Sequence, residues 1–228
     1  MSWLKTFVTS TLGMKVIMAV SGVALFGFVL AHMAGNLQIY LGERAYNHYA
    51  ASLQGNTALL WTARSGLLGM VLAHIVSAGI LTARSRAARP TGYDTHRWLS
   101  GTYAVRTMRF GGVVILAFIV YHLLHFTVGT VHPDIQHCRV NADDVFVCFA
   151  YQNFVAGFQN PLVVGFYIVA QVALGLHLAH GVWSMLRTLG LANPRYDLLT
   201  RRAATAFGTV VTLGNISMPI AVLAGLVK

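Results

Sequence analysis

Five long apolar stretches constrain the fold of this chain more than any other feature. A helix that crosses a membrane needs about 20 consecutive apolar residues, because each residue adds about 1.5 Å along the helix axis. The five stretches cover residues 13–36, 58–83, 109–131, 158–186 and 203–227. Little chain remains outside them, so the sequence predicts one all-α membrane domain over residues 1–228, an integral bundle of five transmembrane helices. The first stretch is too long for a cleavable signal peptide, so we expect it to be retained.

The composition agrees with a membrane environment. Charged residues make up 10% of the chain and hydrophobic residues 56%. A soluble domain carries about 25% charged residues, which cover its surface with polar groups. This chain is too poor in charge to do so.

The net charge of +10 follows the predicted topology. Twelve of the sixteen basic residues lie before the first stretch, in the second and fourth loops, or at the adjoining ends of the stretches, whereas the opposite loops hold most of the acidic residues. This positive-inside pattern predicts a cytoplasmic N-terminus and an outer C-terminus. The basic loops could also bind anionic membrane lipid or a partner protein, and we expect no nucleic acid partner.

The two cysteines, Cys138 and Cys148, fall in the third loop, which this topology places outside. An oxidising compartment favours a disulfide that closes this short loop. The alternative is a pair of free thiols. A metal site is disfavoured because it would need ligands beyond the nearby His132 and His137.

Six of the ten histidines lie within the first four apolar stretches, and the fifth stretch has none. They are His32, His74, His122, His125, His177 and His180. An ionisable side chain at membrane depth is costly and suggests function, although a single one could be a packing residue. No Asp or Glu lies deep in these stretches, so axial ligation of haem iron by neutral imidazole fits best.

Depth groups two of these histidines at an inner level. His74 lies ten residues before Arg84, and His177 lies ten residues before Arg187. Both are therefore roughly 15 Å from the cytoplasmic boundary. The same measure does not separate His177 from His180.

A second group lies further out. His32 is seventeen residues after Lys15, and His122 and His125 are thirteen and sixteen residues after Arg109. These spacings correspond to roughly 20–25 Å, and they slightly favour His125 over His122 as the partner of His32. Two bis-histidine haems stacked across the membrane are the predicted arrangement.

Glycines near these histidines could let a flat porphyrin approach the backbone. They are Gly27, Gly35, Gly66, Gly69, Gly79, Gly175 and Gly181. The alternative for each is ordinary packing of small residues between helices.

Four segments carry a family resemblance over nearly the whole chain: AHMAGNLQIYLG, LAHIVSAG, TMRFGGVVILAFIVYHLLHF and GLHLAHGVWSMLRTLG. They resemble the cytochrome b membrane-anchor subunit of succinate dehydrogenase (succinate:quinone oxidoreductase), in its single-chain, five-helix, dihaem form. Some fumarate reductases share this form. The resemblance implies a bacterial cytoplasmic membrane protein that passes through the membrane several times.

The resemblance also implies the haem ligands. They are His32 of AHM, His74 of LAH, the first histidine of YHLLH, His122, and the first of LHLAH, His177. His32 pairs with His122 at the outer haem, and His74 pairs with His177 at the inner haem. This choice of His122 over His125 goes against the slight preference from depth.

The remaining candidate residues surround these ligands. His125 and His180 could contact haem propionates or quinone, or could be packing histidines. Lys15, Ser21 and Arg187 lie at a suitable depth for contacts with the inner haem propionates.

The resemblance implies a mechanism with partners. A flavoprotein subunit oxidises succinate, an iron–sulfur subunit passes the electrons on, and two b haems relay them to a quinone, with menaquinone favoured over ubiquinone. Succinate itself does not react on this chain. The N-terminus and the basic loop 84–109 are the expected dock for the iron–sulfur subunit, with membrane-surface binding as the alternative.

One position departs from some members of the family. These members carry a membrane glutamate two residues before the fourth ligand, where this chain has Gly175. The departure favours succinate oxidation over a glutamate-linked route for protons.

Two polar groups could bind the quinone, or could simply anchor the chain at the membrane interfaces. The outer group is Asn36, Gln38, Tyr46, Asn47 and His48, and the inner group is His96, Trp98, Ser100 and Tyr103.

Two other functions compete with this interpretation. A dihaem subunit of another quinone-linked oxidoreductase, such as a hydrogenase, formate dehydrogenase or fumarate reductase, would also use membrane histidines, although the first two differ in ligand spacing and helix number. A haem-free anchor or transporter would predict charged or interrupted helices around a midplane site, which this sequence lacks.

Overall fold

The computed structural model describes residues 2–89, 91, 103–132 and 135–228. Within these ranges the helices are α1 (Trp3–Thr9), α2 (Thr11–Asn36), α3 (Glu43–Gln54), α4 (Thr57–Ala87), α5 (Tyr103–His122), α6 (Ala150–Gly157), α7 (Pro161–Thr188) and α8 (Asp197–Leu223). Short 3₁₀ segments follow α2 (Leu37–Leu41) and precede α8 (Pro194–Tyr196), and a π-helical segment (Leu123–Val128) continues α5. One hairpin pairs β1 (Arg139–Val140) with β2 (Phe146–Val147).

Five helical spans in the described ranges are long and apolar enough to cross a membrane. They are Thr11–Leu41, Thr57–Ala87, Tyr103–Val128, Pro161–Thr188 and Pro194–Leu223. The five predicted helices are therefore confirmed, and the chain has the character of a multi-pass membrane protein.

Two helices include residues that precede the predicted apolar stretches. Helix α5 already includes Tyr103, whereas the third stretch begins at residue 109, and α8 begins at Asp197, whereas the fifth stretch begins at residue 203. Both early turns contain arginines, at which an apolar pattern stops although the backbone helix continues. The long arginine side chain can follow the helix surface and carry its charge out to the polar boundary.

Helix α7 is the centre of the bundle. It packs against α8, α5 and α2, and α2 also packs against α4 and α8. Helix α4 lies at the periphery, and Ser77 is its only buried residue. We name the end of the bundle with the β1–β2 hairpin the outer end, following the predicted orientation, and the end with Arg84 and Arg187 the inner end.

Small residues hold α7 and α8 close together. A Cβ on Gly208 would lie 2.5 Å from the carbonyl oxygen of Gly175, and a Cβ on Gly175 would overlap the Thr212 hydroxyl. Nearby, the Asn215 side-chain amide donates a hydrogen bond of 2.9 Å to the Gln171 side-chain oxygen. Close backbone approach and an interhelical hydrogen bond are the usual means of joining helices in lipid.

The outer end carries the segments that do not span. A disulfide joins Cys138 and Cys148 across the hairpin, as predicted. Helices α3 and α6 pack together there, and Asn47 of α3 accepts a 2.9 Å hydrogen bond from the Tyr151 backbone amide and donates one of 3.1 Å to Gln152.

The Gly175–Gly208 contact predicts a sharp difference between two glycine-to-alanine variants. We expect Gly208→Ala to lower the free energy of unfolding by about 1–3 kcal/mol, because its methyl group meets backbone that cannot move aside. Gly165→Ala, also on a spanning helix, adds a methyl group to open space and should leave the stability unchanged or slightly raised, because alanine favours a helix more than glycine does. Denaturation of the detergent-solubilised variants measures both, and equal stabilities would contradict the packing described.

Candidate functional site

The inner histidine pair joins α4 and α7. The ring centres of His74 and His177 lie 6.1 Å apart, with 64° between the ring planes. Of the inner histidines on α7, His177 therefore faces His74. His180 lies one turn further along, with its ring 5.9 Å from the ring of Trp183.

The outer pair joins α2 and α5. The ring centres of His32 and His122 lie 5.8 Å apart, with 85° between the planes. His32 is exposed on the protein surface in spite of its position within an apolar span. An imidazole exposed at this depth needs a partner, because a polar group in hydrocarbon is costly.

The two helices that carry each pair do not pack closely on each other. Among the described residues, α2 does not pack closely on α5, and α4 does not pack closely on α7. The two rings of each pair therefore meet across a gap between helices. Bonds between a metal ion and imidazole nitrogen are about 2 Å long, which places two imidazoles on opposite sides of one metal ion with ring centres about 6 Å apart. Both observed distances match this separation.

Two independent contacts measure the distance between the pairs. The Ser21 hydroxyl lies 3.3 Å from Nδ1 of His74, and His32 follows Ser21 by eleven residues on the same helix. The Tyr167 hydroxyl lies 3.2 Å from Nδ1 of His122, and His177 follows Tyr167 by ten residues. At about 1.5 Å per residue, the levels are therefore about 15–17 Å apart.

This separation exceeds the roughly 5–10 Å that the sequence spacings predict. The difference arises because the depths were measured from basic residues that do not all lie at the same level of the bundle. The Arg84 guanidinium donates hydrogen bonds of 2.8 Å to the Thr9 carbonyl and 3.4 Å to the Thr11 hydroxyl. Lys15 lies one turn further into the bundle than Thr11, so depths measured from Lys15 and from Arg84 do not start at the same level.

The neighbours of His74 leave one of its ring nitrogens free. Nδ1 lies 3.1 Å from the Met18 carbonyl oxygen, which can only accept, so Nδ1 carries the proton. Nε2 then holds the lone pair, and this is the tautomer that metal-ligating histidines adopt when a carbonyl orients them. Ser21 was a candidate for propionate contacts; it is buried, donates to the Ile17 carbonyl over 2.7 Å, and faces His74.

His177 has an unsatisfied nitrogen. Its Nδ1 is buried and has no hydrogen-bond partner among the described residues. An orphaned buried nitrogen costs free energy comparable to a lost hydrogen bond. The inner level thus offers two imidazoles as possible metal ligands, those of His74 and His177, and the Met18 carbonyl orients the first of them.

His125 does not face His32. It is fully buried, and its ring stacks on Phe126 at 3.9 Å and on His132 at 4.6 Å. It lies in the π-helical segment that begins directly after His122. The wider π turn displaces residues from the regular helical face, and such segments are frequent at functional sites.

The other candidate residues lie at the inner end. The Arg187 guanidinium lies over the Trp183 ring at 4.7 Å, and Arg201 lies over the same ring at 4.1 Å. Asp197 links Trp183 to Arg201. Its carboxylate accepts a hydrogen bond of 3.0 Å from the Trp183 indole and forms an ion pair of 2.9 Å with Arg201. Arg187 is thus positioned by Trp183, whereas Lys15 is exposed on α2.

The glycines divide into two groups. Gly35 packs against Tyr49, and Gly175 packs against Thr212, so both serve helix packing. A Cβ would meet nothing within 4 Å at five others, which are Gly27, Gly66, Gly69, Gly79 and Gly181. Gly181 lies one turn after His177, on the same face of α7, and so leaves space beside that ring.

Most of the outer polar group is committed to internal hydrogen bonds. Tyr46 is buried, and its hydroxyl donates a hydrogen bond of 2.5 Å to the Asn36 side-chain oxygen. Asn47 forms hydrogen bonds with α6. His48 lies at a shallow surface depression beside Leu41. In the inner group His96, Trp98 and Ser100 lie outside the described residues, and Tyr103 is exposed.

The histidine pairs can hold a metal only with help from another ligand. No group of three or more His, Cys, Asp or Glu side chains in the described part of the chain could bind an ion by itself. Two imidazoles suit an iron that takes its other four ligands from a porphyrin. The residues present therefore fit haem at both levels.

Sequence reasoning missed Tyr167 and the Met18 carbonyl. Tyr167 lies ten residues before His177, and the depth measure applied to the histidines would have placed it near the outer pair. The Met18 contact has no signal in the sequence, because any residue supplies a carbonyl.

Searches against models of protein families, against curated proteins and against solved structures found no match to this chain.

The open space beside His177 predicts the effect of filling it. Gly181→Leu adds a large side chain where the protein itself has no atoms, so, if the inner pair holds haem, we expect the variant to fold normally but to lose that haem. Gly165→Leu on the same helix is the matched control and should keep full haem content. Haem per purified chain, with unfolding temperature measured in parallel, distinguishes them. Full haem content in Gly181→Leu would show that this space is not part of the site.

Proposed function

We propose that the chain is a dihaem cytochrome b, in which His32 with His122 and His74 with His177 are the axial ligands of two b haems. The observation that carries the proposal is the double pairing of rings at about 6 Å across helices that do not pack closely on each other. Two such pairings, which together involve four different helices, favour paired ligation over ordinary packing.

Bound haem would supply one-electron transfer through its iron. The protein's own residues hold and orient the imidazoles. The Met18 carbonyl fixes the tautomer of His74, and the Tyr167 hydroxyl contacts His122. Within a membrane, lipid together with the apolar spans would exclude water from both pairs, and such surroundings tune the potential of a redox centre.

We further infer that this cytochrome is the membrane-anchor subunit of a succinate dehydrogenase, which receives electrons from an iron–sulfur subunit and passes them to quinone. The order of the four histidine motifs and the pairing of first with third and second with fourth support it. Succinate oxidation belongs to the flavoprotein partner. We expect menaquinone as the acceptor and the bacterial cytoplasmic membrane, with its lipid, as the location.

The inner end supports a dock for the iron–sulfur subunit. The Arg84 hydrogen bonds to Thr9 and Thr11 bring the end of α4 against the start of α2. The two basic segments predicted to bind the partner, the N-terminus and the start of loop 84–109, are therefore adjacent.

Position 175 bears on the direction of the reaction. A Cβ at Gly175 would overlap the Thr212 hydroxyl and lie 3.1 Å from the Gly208 carbonyl. A glutamate at this position would therefore force α7 and α8 apart, and this supports the interpretation as a succinate-oxidising form without the membrane glutamate.

A reduced-minus-oxidised optical spectrum tests the haem proposal. We expect b-type absorption and two haems per chain. Replacement of any one of the four proposed ligands by alanine should lower the content to one haem, because the remaining pair is about 15 Å away. His180→Ala is the matched control on α7 and should keep two haems. Absence of b-type absorption from the intact chain would exclude the proposal.

Thiol labelling tests the orientation. Cys138 and Cys148 form a disulfide. After mild reduction of intact cells or right-side-out vesicles, we expect a membrane-impermeant maleimide to label both cysteines, and inside-out vesicles to stay unlabelled. The reverse pattern would place the histidine-rich outer level and the proposed dock on the wrong sides of the membrane.

A further inference from the structure

Tyr167 joins the two histidines of the YHLLH motif. Its hydroxyl lies 3.2 Å from Nδ1 of His122 and 2.8 Å from Nδ1 of His125. The Tyr167 ring is itself buried, with the rings of Phe118 and Phe158 at 5.0 Å and 4.8 Å. Ring packing therefore fixes the position of the hydroxyl oxygen.

One tyrosine hydroxyl can donate only one hydrogen bond, and this fixes the direction of the chain of bonds. If Nε2 of His122 is the ligand, as proposed above, Nδ1 of His122 carries the proton and donates to the Tyr167 oxygen. The Tyr167 proton is then available for Nδ1 of His125, at the shorter of the two distances. His122 is the donor, Tyr167 the relay and His125 the terminal acceptor.

His125 is held where it can accept. It is fully buried, and Gly157 makes room for it, since a Cβ there would lie 2.9 Å from Nε2 of His125. That Nε2 has no hydrogen-bond partner among the described residues. The only hydrogen bond of the buried His125 ring in this part of the chain is the one to Tyr167, so the ring serves to orient the hydroxyl.

We propose that Tyr167, oriented by His125, is a positioning residue that selects His122 as the outer ligand and lowers the reduction potential of the outer haem. A donated hydrogen bond from Nδ1 makes the other nitrogen of an imidazole more basic, and hydrogen bonding of the axial ligand is one of the protein's means of setting a haem potential. A more basic ligand stabilises the oxidised iron. The inference rests on the proposed dihaem function and assigns a role to a residue outside the ligand set.

The decisive variant is Tyr167→Phe, which removes the hydroxyl and keeps the packed ring. In a redox titration of the full-length protein in its membrane complex, we expect the outer haem to shift to a higher potential and the inner haem to stay unchanged. The electron paramagnetic resonance signal of the outer haem should change as well, because the His122 ring loses the bond that fixes its orientation.

Tyr121→Phe is the matched control. Tyr121 belongs to the same aromatic cluster, with its ring 6.1 Å from the Tyr167 ring, but its hydroxyl bonds to neither histidine among the described residues. We expect both potentials and both signals to equal those of the unaltered protein. An equal shift in Tyr121→Phe and Tyr167→Phe would reduce the effect to general packing and overturn the inference.

His125 variants provide a second test that does not alter Tyr167. His125→Leu removes the acceptor, so we expect a smaller shift of the outer haem in the same direction, with both haems retained. His125→Asn offers an amide oxygen near the position of Nδ1 and should restore the potential towards its original value. Loss of the outer haem from both His125 variants would identify His125 as the ligand and overturn the proposal.

The outcomes separate the inference from the function on which it rests. An unaltered protein without haem contradicts the proposed function itself. Two haems with unchanged potentials in both Tyr167→Phe and His125→Leu contradict only the role of Tyr167. If Tyr167→Phe loses the outer haem while Tyr121→Phe keeps it, the role of Tyr167 in positioning His122 is supported. The potential of the outer haem in His125→Leu then decides whether the hydrogen bond also tunes that haem.

Discussion

The rest of the structure depends on the cost of an imidazole within an apolar span. Each ring has two nitrogens, and each nitrogen that lacks a partner at this depth is unfavourable. His74 and His122 each place Nδ1 against an oxygen of the protein and leave Nε2 for a partner across the bundle. The facing rings of His177 and His32 complete two sites with the same donor set. The rings of each pair meet between helices that do not pack closely on each other, α2 and α5 at the outer level and α4 and α7 at the inner level.

Helix α7 links the two sites mechanically. It carries His177 at the inner level and Tyr167 at the outer level, ten residues apart on one rigid element. On its other side, Gly175 lets α8 approach to backbone contact. Because α7 is packed on three helices, both sites share one wall whose position cannot change without breaking close contacts.

The two sites differ in what orients them. At the inner level a main-chain oxygen, the carbonyl of Met18, holds His74, and substitution of the Met18 side chain does not remove this contact. At the outer level a side chain, Tyr167, contacts His122, so a single substitution can alter that site. If the two sites hold haems as proposed, a side-chain contact at only one of them is a direct way to give the two haems different potentials.

The sequence by itself determined the five spans and the two levels of histidines, because apolar length and helical rise are local properties that need no knowledge of neighbours. Tertiary structure decided the rest. It chose which histidine of YHLLH faces across the bundle, since the π-helical segment after His122 displaces His125. It widened the spacing between levels, because Arg84 aligns with the start of α2 and not with Lys15. It also brought Tyr167 to His122 and His125, which are 45 and 42 residues away in sequence, and no local pattern reveals such a contact.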